Sequence, residues 1–355
     1  MRILAHLRRG VIYLLPMTLL LVAIGVRLVA PDLLDRLSLI AFDFYQRAAP
    51  RQPGNAPIRI IDIDDKSLKE IGQWPWPRTI VAQMIDRLAA TGAAVIAFDI
   101  DFAEPDRTSP KLLLPLIAQN GVGLADAEKL LRVLPDPDQA LAVSVKKIPV
   151  ATGFILTDRG ETRPPAEKAG FAMNGTDPLA HTEGFPKVVP NLPVLEAAAA
   201  GNGFLNQYLD WDHVVRRVPL ILTLTSKPYP SSPAGTPYPS LAAEALRLAF
   251  GASTYILRAS GANAERNFGQ DTGLTAIRIG EVTVPTDAAG RVWLHYAAHD
   301  PHLYISAADI LAGNFDPARV SGHIVLVGTS ASGVINDCRR RRWRAAFPGS
   351  KSTPN

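Results

Sequence analysis

The sequence has a single cysteine, Cys338, so no disulfide can form within the chain. In an oxidising compartment the fold must therefore rest on its own apolar core, which a chain of 355 residues is long enough to build. No Cys/His set stands at metal-ligand spacing, and no Ser-centred elbow or His-Glu-x-x-His element is present, which removes the commonest hydrolase signatures. The seven histidines are scattered, as surface or framework residues are. Charge of one sign is also scarce. The formal net charge is +4, and the basic residues gather at the two ends, at Arg2, Arg8 and Arg9 and at Arg339 to Arg342 with Arg344. Between those ends the chain is near neutral, without the basic footprint of a nucleic-acid binder.

Long apolar runs are equally rare. Leu241 to Phe250 is short and interrupted by Glu244 and Arg247, the pattern of an amphipathic helix. Only Val11 to Val26, extended to Ala30 if Arg27 snorkels its charge to the interface, approaches the ~20 residues needed to cross a bilayer. Basic residues before it and Asp32 and Asp35 after it predict a cytoplasmic amino terminus and a remainder on the far side of the membrane. A cleaved signal peptide is the competing reading. Arg27 and Pro31 around the only plausible cut, after Ala30, favour an uncleaved anchor. The expected organisation is a cytoplasmic segment 1–10, a transmembrane anchor 11–30, a juxtamembrane helix and linker 31–56, one large domain 57–337 and an Arg-rich tail 338–355.

Within that domain strands and helices largely alternate. Strands are expected at Ile58 to Asp65, Ala93 to Asp101, Pro149 to Leu156, Val218 to Leu224, Ile277 to Ile279, Val292 to Tyr296 and His323 to Val327. Helices are expected at Leu33 to Arg47, Arg78 to Thr91, Lys111 to Ala118, Ala125 to Leu134, Leu192 to Ala199 and Ser240 to Phe250. The fold class predicted is α/β: a largely parallel central sheet with flanking helices, β-hairpins inserted around Gly203 to Leu224 and Ala276 to Tyr296, and one transmembrane helix in front. Three stretches, Asp158 to Pro190, Ser226 to Pro239 and Gly261 to Gly273, read as long irregular loops.

The chemistry concentrates between Ile58 and Asp106. Two apolar strands end in aspartates, and the helix between them makes a β-α-β unit. Parallel neighbours joined this way bring Asp62, Asp64, Asp99 and Asp101 to one sheet edge, where open α/β sheets bind ligands. Hard oxygen ligands there, with Asp62, Asp99 and Asp101 as candidates, would suit a Mg²⁺ or Ca²⁺ ion. The alternative is structural: the carboxylates cap helices, pair with Lys66 or Arg78 and orient loops. Candidate ligand-binding residues are Asp62, Asp64, Asp65, Trp74, Trp76, Arg78, Asp99, Asp101, Asp106, Gly328 and Thr329. Trp74 and Trp76, held among prolines, could stack on a ligand, plug the core or face the membrane surface, and framework packing is preferred. Gly328-Thr329-Ser330-Ala331-Ser332-Gly333 outlines an anion-cradling loop but lacks the Lys-Ser/Thr ending of a P-loop, so a glycine turn is its default role. An Asp nucleophile on the strand ending at Asp99, as in haloacid-dehalogenase-type phosphotransferases, fails on order, because the Thr329 strand comes too late.

Ile61-Asp62-Ile63-Asp64-Asp65-Lys66-Ser67-Leu68, Gly72-Gln73-Trp74-Pro75-Trp76-Pro77-Arg78 and Phe98-Asp99-Ile100-Asp101-Phe102-Ala103-Glu104-Pro105-Asp106 together resemble the second family of CHASE domains, the sensory extracellular modules of bacterial cyclase and histidine-kinase receptors. Gly203-Phe204-Leu205-Asn206, Asp212 to Leu220, Val284-Pro285-Thr286-Asp287 through Gly290, and Gly322 to Ala331 fit the same family in the same order. The resemblance covers roughly residues 35 to 337. It implies a non-enzymatic sensor, periplasmic or extracellular on a bacterial inner membrane, that binds a small-molecule or periplasmic ligand, with a homodimer as a candidate assembly, no cofactor beyond the candidate ion, and no nucleic acid. The family pattern continues into membrane helices and an output domain. Cys338 to Asn355 departs from it, and Ser350 to Pro354 spells the family's Val-Glu-Val-His-Ala one base out of phase, so a frameshifted or truncated receptor is expected. An envelope scaffold or adhesion module is the competing class.

Overall fold

The computed structural model describes residues 14, 16–26, 29–52, 54, 56–110, 112–114, 129, 134–225, 235–262 and 273–331. Two compact units result: Met1–Gly54 with His295–His299, and Asn55–Leu294 with Asp300–Asn355.

In the first unit, positions 14, 16–26 and 29 are helical, and α1 (Pro31–Ala48) opens with proline in its first turn, where a missing N–H costs little. Leu39 and Gln46 are buried, while Leu37, Ile40, Phe44 and Tyr45 are each more than half exposed. The Gln46 amide oxygen accepts a bond of 3.1 Å from the Tyr296 N–H. Among the described residues no helix is long and apolar enough to cross a membrane. Residues 11–13, 15, 27 and 28 of the expected span lie outside the described residues, as do the proposed frameshift site and the whole Arg-rich tail.

The second unit begins with β1 (Ile58–Ile63), α2 (Asp65–Ile71), α3 (Arg78–Ala90), β2 (Val95–Asp101), α4 (Pro137–Val145) and β3 (Val150–Thr157). It continues through β4 (Gly170–Asn174), β5 (Gly184–Phe185), β6 (Lys187–Val189), α5 (Pro193–Ala198), β7 (Gly201–Phe204), β8 (Arg217–Pro219), β9 (Ile221–Leu224) and β10 (Thr236–Pro239). The remainder is α6 (Leu241–Ala249), β11 (Thr254–Ala259), β12 (Leu274–Ile279), β13 (Val282–Pro285), β14 (Arg291–Trp293), β15 (Tyr304–Ser306), α7 (Ala307–Ala312) and β16 (Ile324–Thr329).

The central sheet has the order β15-β1-β16-β2-β3, with β7 and β6 both pairing to β3, and every pair except β3 with β6 is parallel. One prediction needs correcting here: β1 and β2 are not neighbours. β16 lies between them, pairing Ile58 to Ile63 on one side and Val95 to Phe98 on the other. Sequential strands are adjacent only as a tendency. The middle of a parallel sheet favours a strand that is apolar throughout, and Ile324-Val325-Leu326-Val327 answers that demand better than β1, which carries Arg59 and Asp62.

Ile61, Ile63, Ile96, Phe98, Val150, Val325 and Val327 fill one face of the sheet against Val81, Met84, Ile85 and Leu88 of α3, Leu141 and Val145 of α4, Leu195 of α5 and Ile310 of α7. Full burial of a side chain such as Phe98 contributes roughly 1.5–3 kcal/mol. On the opposite face Val95, Ala97 and Ala151 meet Leu241 and Ala245 of α6. There a Cβ on Gly203 would come within 2.6 Å of the Leu241 backbone, so helix and strand touch main chain to main chain.

Three small sheets complete the unit: β13-β12-β11-β4, β10-β9-β5 and β14-β8. β12 and β13 form the hairpin expected near Ala276, but the one expected around Gly203 to Leu224 is absent from these described residues. Instead β7 joins the central sheet, β8 pairs with β14, and β9 pairs with β10 and β5. Leu220 interrupts the predicted single strand, and short backbone ladders with distant partners replace a local turn. The loop expected at Asp158 to Pro190 holds β4, β5 and β6. Residues 226–234 and 263–272 of the other two loops, and most of the helices expected at Lys111 to Ala118 and Ala125 to Leu134, lie outside the described residues.

Candidate functional site

Two clusters of polar side chains stand at the carboxyl ends of the parallel strands. At the first, the rim formed by β1, β16 and β2, Asp62 is in register with Gly328, and Val327 with Phe98. A Cβ built on Gly328 would lie 3.8 Å from the Asp99 Cβ, so Asp62, Gly328 and Asp99 sit side by side in one row. The two aspartates share an edge as expected, separated by two strand spacings, roughly 9.5 Å. The Asp62 carboxylate accepts from Ser330 N at 2.9 Å and Ser330 Oγ at 2.5 Å, and Thr329 Oγ1 donates to the Ile63 carbonyl at 3.0 Å. The glycine loop is thus laced to the end of β1. Burial pushes the Asp62 carboxyl above its ordinary range, against the pull of the Ser330 bonds and with Asp64 and Asp65 adding to it.

Asp64 is the N-cap of α2. It accepts from Ser67 N at 2.8 Å, Ser67 Oγ at 2.7 Å and Ser306 Oγ at 2.9 Å. Burial pushes its carboxyl up, and these bonds outweigh burial and hold it low. Asp65 occupies the first turn of the same helix, where a negative charge meets the favourable end of the helix dipole. Lys66 pairs with Asp309 at 2.6 Å rather than with the strand-end aspartates.

The second cluster surrounds the Trp-Pro-Trp-Pro-Arg segment. Trp76 is 3% exposed, donates from Nε1 to the Gly72 carbonyl at 2.8 Å, and meets Trp74 edge to face with ring centroids 5.4 Å apart. Both indoles pack on the main core, the framework role. Arg78 begins α3, and its backbone N–H donates to the Asp106 carboxylate. Asp106 also takes Thr108 N and Thr108 Oγ1, each at 2.7 Å. Burial pushes the Asp106 carboxyl up, and the bonds from Arg78 and Thr108 outweigh it, so it stays well ionised. The Arg78 guanidinium lies over Phe102, 4.6 Å from the ring centroid, and Nη2 reaches the Glu104 carbonyl at 3.3 Å. Asn191 fixes the start of this loop by accepting from Phe102 N at 2.7 Å.

Opposite Arg78 stands Asp138 of α4, with Nε to Oδ1 at 3.6 Å, and neither of those two buried atoms has a hydrogen-bond partner. Burial draws the Arg78 guanidinium down and pushes the Asp138 carboxyl up. Both shifts run towards the neutral forms, so at this separation the ion pair does not offset its desolvation. Asp101 lies near enough to favour the Arg78 charge. A slip of register in β2 between Phe98 and Asp101 separates it from the rim row. Beside these groups opens a cleft of about 340 Å³, lined by Gln73 and Pro75 to Arg78 on one wall and by Glu104 to Thr108 on the other.

The candidate residues therefore fall into two groups. Asp62, Asp99, Gly328 and Thr329 lie at the rim, with Asp64 capping and Asp65 opening the adjoining helix; Trp76, Arg78 and Asp106 line the cleft, while Trp74 packs on the core beside Trp76 and Asp101 acts on Arg78 without lining the cleft. Among the described residues no group of three or more His, Cys, Asp or Glu side chains is arranged to hold a metal ion, so geometry gives the candidate set Asp62, Asp99 and Asp101 no support. Sequence reasoning missed Gln73, Glu104, Arg107, Thr108 and Asp138. Gln73 and Glu104 stand inside the two motifs, whereas Asp138 in Asp136-Pro137-Asp138 reads as ordinary helix-start chemistry, with nothing to pair it to Arg78.

A family model described as CHASE2 domain matches residues 17–340. No curated protein and no solved structure matches the chain.

Proposed function

Because the chain belongs to the CHASE2 domain family, a family of sensory extracellular domains, we propose that it is the extracytoplasmic stimulus-binding module of a bacterial membrane receptor and that the cleft beside Arg78 receives the stimulus. The observation that carries this reading is the coincidence of space and underbonded chemistry: a cleft of about 340 Å³ whose lining includes the buried Arg78, held by a bond of 3.3 Å to the Glu104 carbonyl and a loose ion pair of 3.6 Å with Asp138. Small-molecule sites occupy about 300–1,000 Å³ and need only a few placed polar groups.

Membrane attachment is assigned to the apolar run Val11 to Ala30, with the amino terminus cytoplasmic. Signalling is then a shift of α1 relative to that anchor, driven by a ligand that binds one of two arrangements more tightly than the other. A melting screen of the full chain in lipid nanodiscs tests the reading. A true ligand at a hundred times its Kd stabilises by about 2.7 kcal/mol. An adhesion or envelope-assembly module would be stabilised by no small molecule. Protease added to spheroplasts should cleave the domain, and protection there would contradict the location.

A further inference from the structure

We infer that the cleft takes a zwitterion of the amino-acid type, one carboxylate and one ammonium on a small apolar body. The inference rests on the cleft being the stimulus site. Its lining carries two arginines, Arg78 and Arg107, and two carboxylates, Glu104 and Asp106, so its formal charge is balanced. A dianion would meet Glu104 and Asp106, a plain cation would meet both arginines, and each would enter against one pair.

The four charges are not equally engaged. Asp106 already accepts from Arg78 N, Thr108 N and Thr108 Oγ1 and acts as part of the frame. Arg78 has donors to spare: its contacts are the 3.3 Å bond to the Glu104 carbonyl, the 3.6 Å approach to Asp138 and the Phe102 face. A guanidinium in that condition, desolvated and underbonded, is completed by a carboxylate oxygen. Arg107 and Glu104 are exposed on the same loop and bracket Asp106. One can add to the carboxylate's ligation while the other accepts from an ammonium group. Pro75, Pro77, Pro105 and the edge of Trp76 supply the apolar lining for a side chain. Rigid rings present that surface at low entropic cost.

The test is calorimetry on the full chain in nanodiscs at neutral pH, with leucine, methionine and phenylalanine as probes. Each is compared with its analogue lacking the amine and its analogue lacking the carboxylate, with glucose and inorganic phosphate alongside. At least one amino acid should bind, with each truncated analogue at least about tenfold weaker, the scale of one lost charge-assisted contact. Arg107→Ala should weaken the amino acid and its amine-free analogue while leaving the carboxylate-free analogue unchanged. Glu104→Gln should do the converse. Both residues are exposed, so both variants keep the fold. Phosphate, glucose or a singly charged analogue binding as tightly as the amino acids would overturn the ligand class; if Arg107→Ala or Glu104→Gln weakened that binding, the cleft would still stand as the site. Binding indifferent to both variants would overturn the site itself, and silence from every amino acid would overturn the inference.

Discussion

The rim at Asp62 and the cleft at Arg78 grow from the same two strands and the same kind of residue, yet their polar atoms end differently. At the rim, Asp62 is bound twice by Ser330 and Asp64 three times by Ser67 and Ser306. At the cleft, Arg78 lines the open space while its Nε and Asp138 Oδ1 form a loose ion pair across 3.6 Å, neither atom hydrogen-bonded. Aspartates at strand ends announce themselves in a sequence, but they mark a ligand site only where the fold leaves them or their partners incomplete. Saturated carboxylates hold loops; underbonded groups next to a cavity are positioned to bind.

Substitutions sharpen this contrast, beginning with the largest expected loss. Asp106→Ala removes a buried acceptor of three donors and a counter-charge of Arg78, and should cost about 3 kcal/mol in urea unfolding. A cost below that of Asp64→Ala would contradict the assignment of Asp106 to the frame of the cleft. Asp64→Ala deletes the cap of α2 and should cost about 1–2 kcal/mol. Because the folded protein holds the Asp64 carboxyl below its ordinary value of 3.8, its contribution is present above that value and fades as pH falls through the lower folded one. The wild type and Asp64→Ala should therefore converge in acid, which unfolding midpoints measured across pH would show.

Asp62→Asn should cost less, under about 1 kcal/mol, since an amide oxygen still accepts from Ser330. Its pH dependence has the opposite sign. The folded carboxyl sits above its ordinary value, so stability linked to it is full at low pH and falls as pH rises through that raised value. The asparagine variant should lose this slope. Gly328→Ala should be the mildest, within about 0.5 kcal/mol. The new methyl would lie at ordinary contact distance, 3.8 Å, from Asp99. A large effect on stability or on ligand binding would return the glycine loop to candidacy as an anion cradle.

Much of the sheet was legible because its strands are apolar throughout, as parallel strands covered on both faces must be. Ile58 to Ile63, Val95 to Asp101, Val150 to Thr157 and Ile324 to Thr329 all fall within a residue or two of the predicted bounds. Their lateral order was not legible, because chain order only weakly fixes which strands pair, and β16 enters the sheet from more than two hundred residues away. Short strands such as β7, with two glycines, and β4 carry no periodic signal and exist through their partners on β3 and β11. At the cleft, Arg78 and Asp106 stood out through their motifs. Asp138 did not, since its meaning comes from the packing of α4 that sets it before Arg78.

Affinity measured in two exposed-residue variants puts the division between cleft and rim to its most direct test. A compound found in the melting screen is titrated into the full chain, into Arg107→Ala and into Asp99→Asn. Binding weakened about tenfold by Arg107→Ala and unchanged by Asp99→Asn is the predicted result. Loss confined to Asp99→Asn would contradict the account and move the stimulus site to the rim.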